Sequence, residues 1–364
     1  MDEYASLEHE LTEQLLEALR ALPRADDVVM RPAEERARDG RRHAEIGLIL
    51  NGRPVALVVE TKKSIFPRDI REASWQLSKY VTRDAVRLHE GVPVPLLAAQ
   101  TISPGAKDLL KQEGIGFFDS GGSLYIPGAS FYVYIEKPPP KALAKSVRSL
   151  FRGKRSQVLL ALLHRQNDWF GVNDLADLAQ VSMTTVSETL SELERFEWVV
   201  ARGQGPAKER RVERPGTILD DWAKYVSINR QSGARRFYVS NARGEGLSDR
   251  IDAVCAHRHL RYVFTQEAAA QRYAPYLTNV SRISCRMPPG RLTDEAMQEL
   301  GAREVSEGAN LVVIESPGEG EFLFKERVGE VWLANPVQVY LDLIGQEGRA
   351  KEMAEHLRKE RIGF

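Results

Sequence analysis

At 364 residues the chain exceeds what one ordinary core organises and fits two or three domains. Its 43% hydrophobic and 28% charged residues are those of a folded globular protein and exclude a disordered one. Lys plus Arg and Asp plus Glu balance at 51 each, which excludes coating of nucleic acid through bulk charge and confines any such contact to a local basic patch.

In chain order, residues 7–22 read as an amphipathic helix, because Leu11, Leu15, Leu16 and Leu19 recur at helical spacing. Two apolar runs, 45–50 and 55–60, flank the turn signal Asn51-Gly52-Arg53-Pro54 and predict a β-hairpin. A helix over 69–87, a strand over 95–99, a helix over 104–113 and strands near Gly116, Leu124 and Phe131 complete an α/β domain over 1–137. Pro138-Pro139-Pro140 then blocks helix and sheet, and Lys141, Lys145, Arg148, Arg152, Lys154 and Arg155 follow without an acidic residue, so 138–155 is predicted as a basic linker.

Three helical stretches, 156–165, 174–179 and 183–197, stand close together, with Asn173 and Ser182 as expected N-caps for the second and third. Leu175, Leu178, Val186, Leu190 and Leu193 are expected to share a core. That leaves Thr184, Thr185, Ser187, Glu188 and Ser191 on the outer face of the third helix, where small hydroxyl residues suit entry into a major groove. Glu188, Glu192 and Glu194 oppose phosphate. After Trp198 the chain reads as a strand, a Gly-rich turn and a basic return strand carrying Arg202, Lys208, Arg210 and Arg211, the pattern of a wing. From Lys141 to Arg214 there are 13 Lys or Arg against 9 Asp or Glu, net plus four within a neutral chain. Residues 156–214 are therefore expected to be a winged helix-turn-helix on double-stranded DNA, with Thr184, Thr185, Ser187, Arg202, Lys208, Arg210 and Arg211 at the contact. The plainer reading is a three-helix domain with a solvated hairpin. Residues 215–364 alternate strand-like runs (236–239, 262–265, 311–315) with helical ones, a third α/β domain. The whole is read as a multidomain α/β chain.

The two cysteines, Cys255 and Cys285, lack zinc-site spacing apart from the run Cys255, His257, His259, and read as reduced core thiols. The acidic N-terminus has no signal-peptide pattern and no stretch approaches a membrane span, so a cytoplasmic location without a membrane partner is expected.

Within the predicted hairpin, pairing Leu50 with Val55 puts Glu45 opposite Glu60, and a two-residue turn shifts the pairing while keeping both on one face. Lys62 shares that face with Glu60. Two carboxylates and a Lys at the end of an apolar strand could hold magnesium, with Glu45 and Glu60 as ligands and Glu10 or Glu13 adding an oxygen, for phosphodiester hydrolysis. A cross-strand Glu/Lys pair on a solvated face is the plainer alternative. Ala44-Glu45 with Val59-Glu60-Thr61-Lys62 resembles the PD-(D/E)XK signature of restriction-endonuclease-like folds, and Gln76-Leu77-Ser78-Lys79-Tyr80 resembles the QxxxY motif of their RecB-type branch. The resemblance implies that the acidic pair binds metal, Lys62 assists catalysis, and Gln76 and Tyr80 belong to the site. Ala44-Glu45 stands where Pro-Asp is usual.

The winged helix followed by Asn335-Pro336-Val337-Gln338-Val339-Tyr340-Leu341-Asp342-Leu343 and by 348–357 resembles AbiEi-type antitoxins over the last two-thirds of the chain. That resemblance implies promoter binding at inverted repeats, autoregulation, and neutralisation of a nucleotidyltransferase-like toxin in a type IV system. An α/β dimerisation or scaffold domain is the alternative for the third region, so a homodimer joins DNA and toxin among the expected partners. Two readings follow: a DNA-binding regulator with a nuclease-like N-terminal fold, or a magnesium-dependent endonuclease targeted by its winged helix.

Overall fold

The computed structural model describes residues 2–31, 44–84, 93–128, 131–229, 233–240, 245–277, 280–346 and 348–364. The chain is mixed α/β and divides into two units, Met1–Val147 with Glu192–Glu197, and Arg148–Ser191 with Trp198–Phe364.

The first unit opens with α1 (Asp2–Arg20), whose Leu11, Leu15, Leu16 and Leu19 are buried as their spacing predicts. A seven-stranded sheet follows in the order of the chain: β1 (Ala25–Arg31), β2 (Ala44–Leu50), β3 (Arg53–Ile65), β4 (Pro93–Ile102), β5 (Gly116–Asp119), β6 (Leu124–Pro127) and β7 (Tyr132–Ile135). Two helices interrupt it, α2 (Ile70–Asp84) and α3 (Pro104–Gln112). Parallel pairing joins β3, β4 and β5, and the remaining neighbours run antiparallel. The hairpin between β2 and β3 closes on two residues, since Leu50 pairs with Arg53 and Asn51 and Gly52 both adopt positive φ (51° and 76°). Asn-Gly is the dipeptide that supplies this conformation most readily.

Strand alternation gives the sheet two apolar faces. Ile46, Leu48, Leu57, Val59 and Leu96 pack with Leu15, Leu16 and Leu19 of α1, while Val58, Leu97 and Ala99 pack with Ile70, Ala73 and Leu77 of α2 and Ala106 and Leu110 of α3. Each such fully buried Leu or Ile contributes roughly 1.5–3 kcal/mol. The predicted linker is instead largely a helix, α4 (Lys141–Leu150), because its cations occupy the outside of a turn pattern that buries Leu143 and Leu150.

The second unit begins with α5 (Gly153–His164), α6 (Val172–Ala179) and most of α7 (Met183–Arg195), then a hairpin of β8 (Val199–Arg202) and β9 (Glu209–Val212). Gly171, not Asn173, occupies the N-cap of α6. Ser182 caps α7 as expected, its Oγ accepting from the Thr185 amide at 3.2 Å. Beyond α8 (Pro215–Ile228) come β10 (Ala234–Val239), α9 (Glu245–His257), β11 (Val263–Thr265), α10 (Gln266–Tyr273), β12 (Ile283–Met287), α11 (Arg291–Glu299), β13 (Ala302–Glu304), β14 (Leu311–Glu315), β15 (Glu326–Val328), β16 (Val331–Leu333), α12 (Pro336–Ile344) and α13 (Arg349–Leu357). Their strands form a mixed seven-stranded sheet in the order β13-β10-β14-β12-β11-β16-β15. No helix among the described residues is long and apolar enough to cross a membrane.

Candidate functional site

In the first unit, β2 and β3 place Glu45 opposite Val58, so Glu60 is diagonal to Glu45 and not directly across from it. The two-residue turn sets this register. Glu45, Glu60 and Lys62 nonetheless share one face, the face that α2 and α3 cover. Glu60 is buried and Lys62 Nζ lies 2.6 Å from its Oε1. Glu45 is half-buried. Between Glu45 and the hairpin turn, the next position on this face is Gly47, which offers no ligand. Gln76 donates to Glu72 Oε1 at 2.9 Å and does not meet Glu60. Tyr80 stands one turn further along α2, and its side chain lies outside what is described. Glu10 and Glu13 are exposed on α1, whose leucines pack on the opposite face of the sheet. No group of three or more His, Cys, Asp or Glu among the described residues is placed to hold a metal. This face brings together one buried carboxylate, Glu60, beside its own Lys62, and a second, Glu45, placed diagonally to it.

In the second unit, α7 exposes Thr184, Ser187, Glu188 and Ser191 and buries Val186 and Leu190, while Thr185 is half-buried beside its cap. Glu188, one of the carboxylates the sequence sets against phosphate on this face, pairs with Arg155 Nη2 at 3.0 Å. Along the hairpin, Val200 pairs with Arg211, Ala201 with Arg210 and Arg202 with Glu209. Alternation therefore separates the basic residues. Arg202 and Arg211 lie on the outer face. Arg210 faces inward and is buried, with its backbone paired in both directions to Phe170 (2.8 and 2.9 Å) and its guanidinium donating to the Lys208 carbonyl. Arg210 is thus removed from the expected DNA contact by its place on the strand, whereas Lys208 is half-buried at the start of the return strand.

The bridge to Phe170 sets Trp169 beside the outer face. Its ring centroid lies 4.3 Å from the Arg202 guanidinium carbon and 5.0 Å from that of Arg211. Arg202 also pairs with Glu209 at 2.7 Å and Arg211 with Glu213 at 3.8 Å. Trp169 escaped the sequence reading because it precedes α6 in a segment without periodicity; only the run Trp169-Phe170, two strand-favouring residues, hints at a bridge.

The segment that carries the antitoxin resemblance is organised by buried polar contacts. Asn335 caps α12, accepting from the Val337 amide at 2.9 Å ahead of Pro336. Asp342 takes Arg286 in a two-pronged pair (2.8 and 2.5 Å), the Thr265 hydroxyl at 2.5 Å and the Gln338 amide at 2.8 Å, and Arg286 also donates to Ser316. These groups tie α12 to β11 and β12.

A family model described as transcriptional regulator, AbiEi antitoxin, type IV toxin-antitoxin system matches residues 211–362. The match begins on β9 and covers the C-terminal α/β region, less than the two-thirds of the chain that the sequence suggests. No curated protein matches the chain as a relative. Two solved structures are partly similar. A possible transcriptional regulator from Methanosarcina mazei Go1 is 15% identical over 29% of this chain and 86% of its own, with a TM-score of 0.19. EndoMS in its apo form is 21% identical over 30% of this chain and 44% of its own, with a TM-score of 0.22. At such scores neither bears on the fold or the function of this chain.

Proposed function

We propose that the chain is a sequence-specific DNA-binding transcriptional regulator of the AbiEi antitoxin kind. Residues 153–212 act as its winged helix-turn-helix, and the region after them acts on a nucleotidyltransferase-like toxin. The observation that carries the reading is the juxtaposition within one chain of an α7 face bearing Thr184 and Ser187, a hairpin with Arg202 and Arg211 outside, and a following segment matched by the antitoxin family model. Short hydroxyl side chains let a helix backbone approach base edges, while hairpin cations meet phosphates across the groove. An operator of inverted repeats would be met by two copies of the chain, so a homodimer on DNA belongs to the proposal.

The first unit serves in this reading as a restriction-endonuclease-like scaffold without metal chemistry. Buried Glu60 pairs there with half-exposed Lys62, and Glu45 stands diagonally across on the neighbouring strand instead of directly opposite it. A reporter driven by the region upstream of the chain's own gene tests the regulator role. Expression of the intact chain lowers reporter output, and Thr184→Ala with Ser187→Ala relieves the repression. Equal output with and without the chain rejects it.

A further inference from the structure

We propose that Trp169 is a positioning residue that holds Arg202 and Arg211 as a two-pronged phosphate contact, and that Glu209 and Glu213 are the partners these arginines release when DNA arrives. The inference rests on the DNA-binding reading and adds to it the residue that organises the hairpin's charge.

Three observations carry it. Both guanidiniums stack on one indole, at 4.3 and 5.0 Å from its centroid, although they come from different strands of the hairpin. An arginine otherwise samples many rotamers, and stacking fixes the plane of its fork while leaving the edges free to donate. Those edges stay accessible, since the side chains of Arg202 and Arg211 are 55% and 40% exposed. The carboxylates now facing them are exposed as well, Glu209 by 37% and Glu213 by 49%, and ion pairs in such surroundings are weak enough to exchange. A phosphodiester carries the same charge as a carboxylate and its capture releases counterions, so the exchange favours DNA.

The neighbouring residues show that this stack is not the fastening of the hairpin. Arg210 and Phe170 supply that through their paired backbones, on the inward side. The hairpin tip is thin: Gly203 has φ +75° and a Cβ there would meet the Ala207 carbonyl at 2.5 Å, so only glycine fits. A narrow tip with two aligned cations behind it has the form of an insertion into a groove between phosphate rows.

Fluorescence anisotropy of the full chain tests this on two duplexes, the region upstream of its own gene and a scrambled sequence of equal composition, each at several salt concentrations. Trp169→Leu weakens binding to both by about threefold to tenfold and lowers the salt slope by about one. Trp169→Phe, which keeps a ring, restores most of the affinity, and Glu209→Gln tightens binding. Thermal unfolding accompanies each variant; if Trp169→Leu is unfolded, Trp169→Phe and Glu209→Gln decide. Wild-type binding that Trp169→Leu leaves unchanged in affinity and slope, or that Glu209→Gln weakens, overturns the positioning role alone. Absence of wild-type binding to either duplex overturns the DNA-binding reading and this inference together.

Discussion

Two adjacent arginines on β9 meet opposite fates because a strand turns successive side chains to opposite faces. Arg210 fills the inner side and Arg211 stacks outside on Trp169. Composition marks both as basic; the β8–β9 register, with Ala201 opposite Arg210 and Val200 opposite Arg211, distinguishes them, and no local pattern announces the bridge to Phe170 that covers Arg210. The same scale decides the cysteines. Cys255 and Cys285 are buried and unpaired, and burial pushes the Cys255 thiol up to about 12 and that of Cys285 well above its ordinary value. A raised thiol pKa favours the protonated, folded form, so this contribution to stability is complete below the ordinary thiol range and is lost as pH rises above it. Iodoacetamide at pH 8 should leave both thiols unmodified in the native chain and label both after denaturation, with mass spectrometry as the readout. Rapid native labelling of either would contradict their place in the core.

At the scale of elements, α12 shows why a recognisable sequence stretch need not be a contact surface. Asn335 and Pro336 start the helix, Val337, Val339, Tyr340, Leu341 and Leu343 enter the core, and Asp342 receives Arg286. Removing one partner strands a buried charge, so Asp342→Ala should lower the unfolding free energy by about 3–5 kcal/mol, whereas Arg286→Met with Asp342→Leu should recover much of it. Urea titration checks this; a change below about 1 kcal/mol would show the pair to be dispensable. The elements most legible in the sequence were those with strong periodicity or clear caps: α1, the β2–β3 hairpin, α3 and α7. Less legible were β1, β13, β15 and β16, of which β1, β13 and β15 form sheet edges and the last three are only three residues long, too short for an alternation to show. Helix α4 was hidden by its own cations, which read as a linker although Leu143 and Leu150 mark a buried side. The candidate site divides likewise: the exposed hydroxyls of α7 were legible from helical spacing, while the Trp169 stack depends on a tertiary bridge.

Over the whole molecule, one chain joins a mixed α/β unit with a Glu60–Lys62 pair, three helices with a hairpin, and an α/β region that matches an antitoxin family model. If the first unit is a scaffold, calorimetric titration with magnesium or manganese should show no uptake, and plasmid and branched DNA should stay uncut in either metal. Cutting that stops on chelation and on Glu60→Gln would restore the endonuclease reading. The regulator reading depends on preference among DNA sequences, which bulk charge cannot give a chain with no net charge. The affinity of the full chain for the duplex upstream of its own gene, measured beside a scrambled duplex at the same salt, should differ by at least about a thousandfold. The preference should fall when Thr184 and Ser187 become alanine. Equal affinity for the two duplexes at every salt concentration would contradict it.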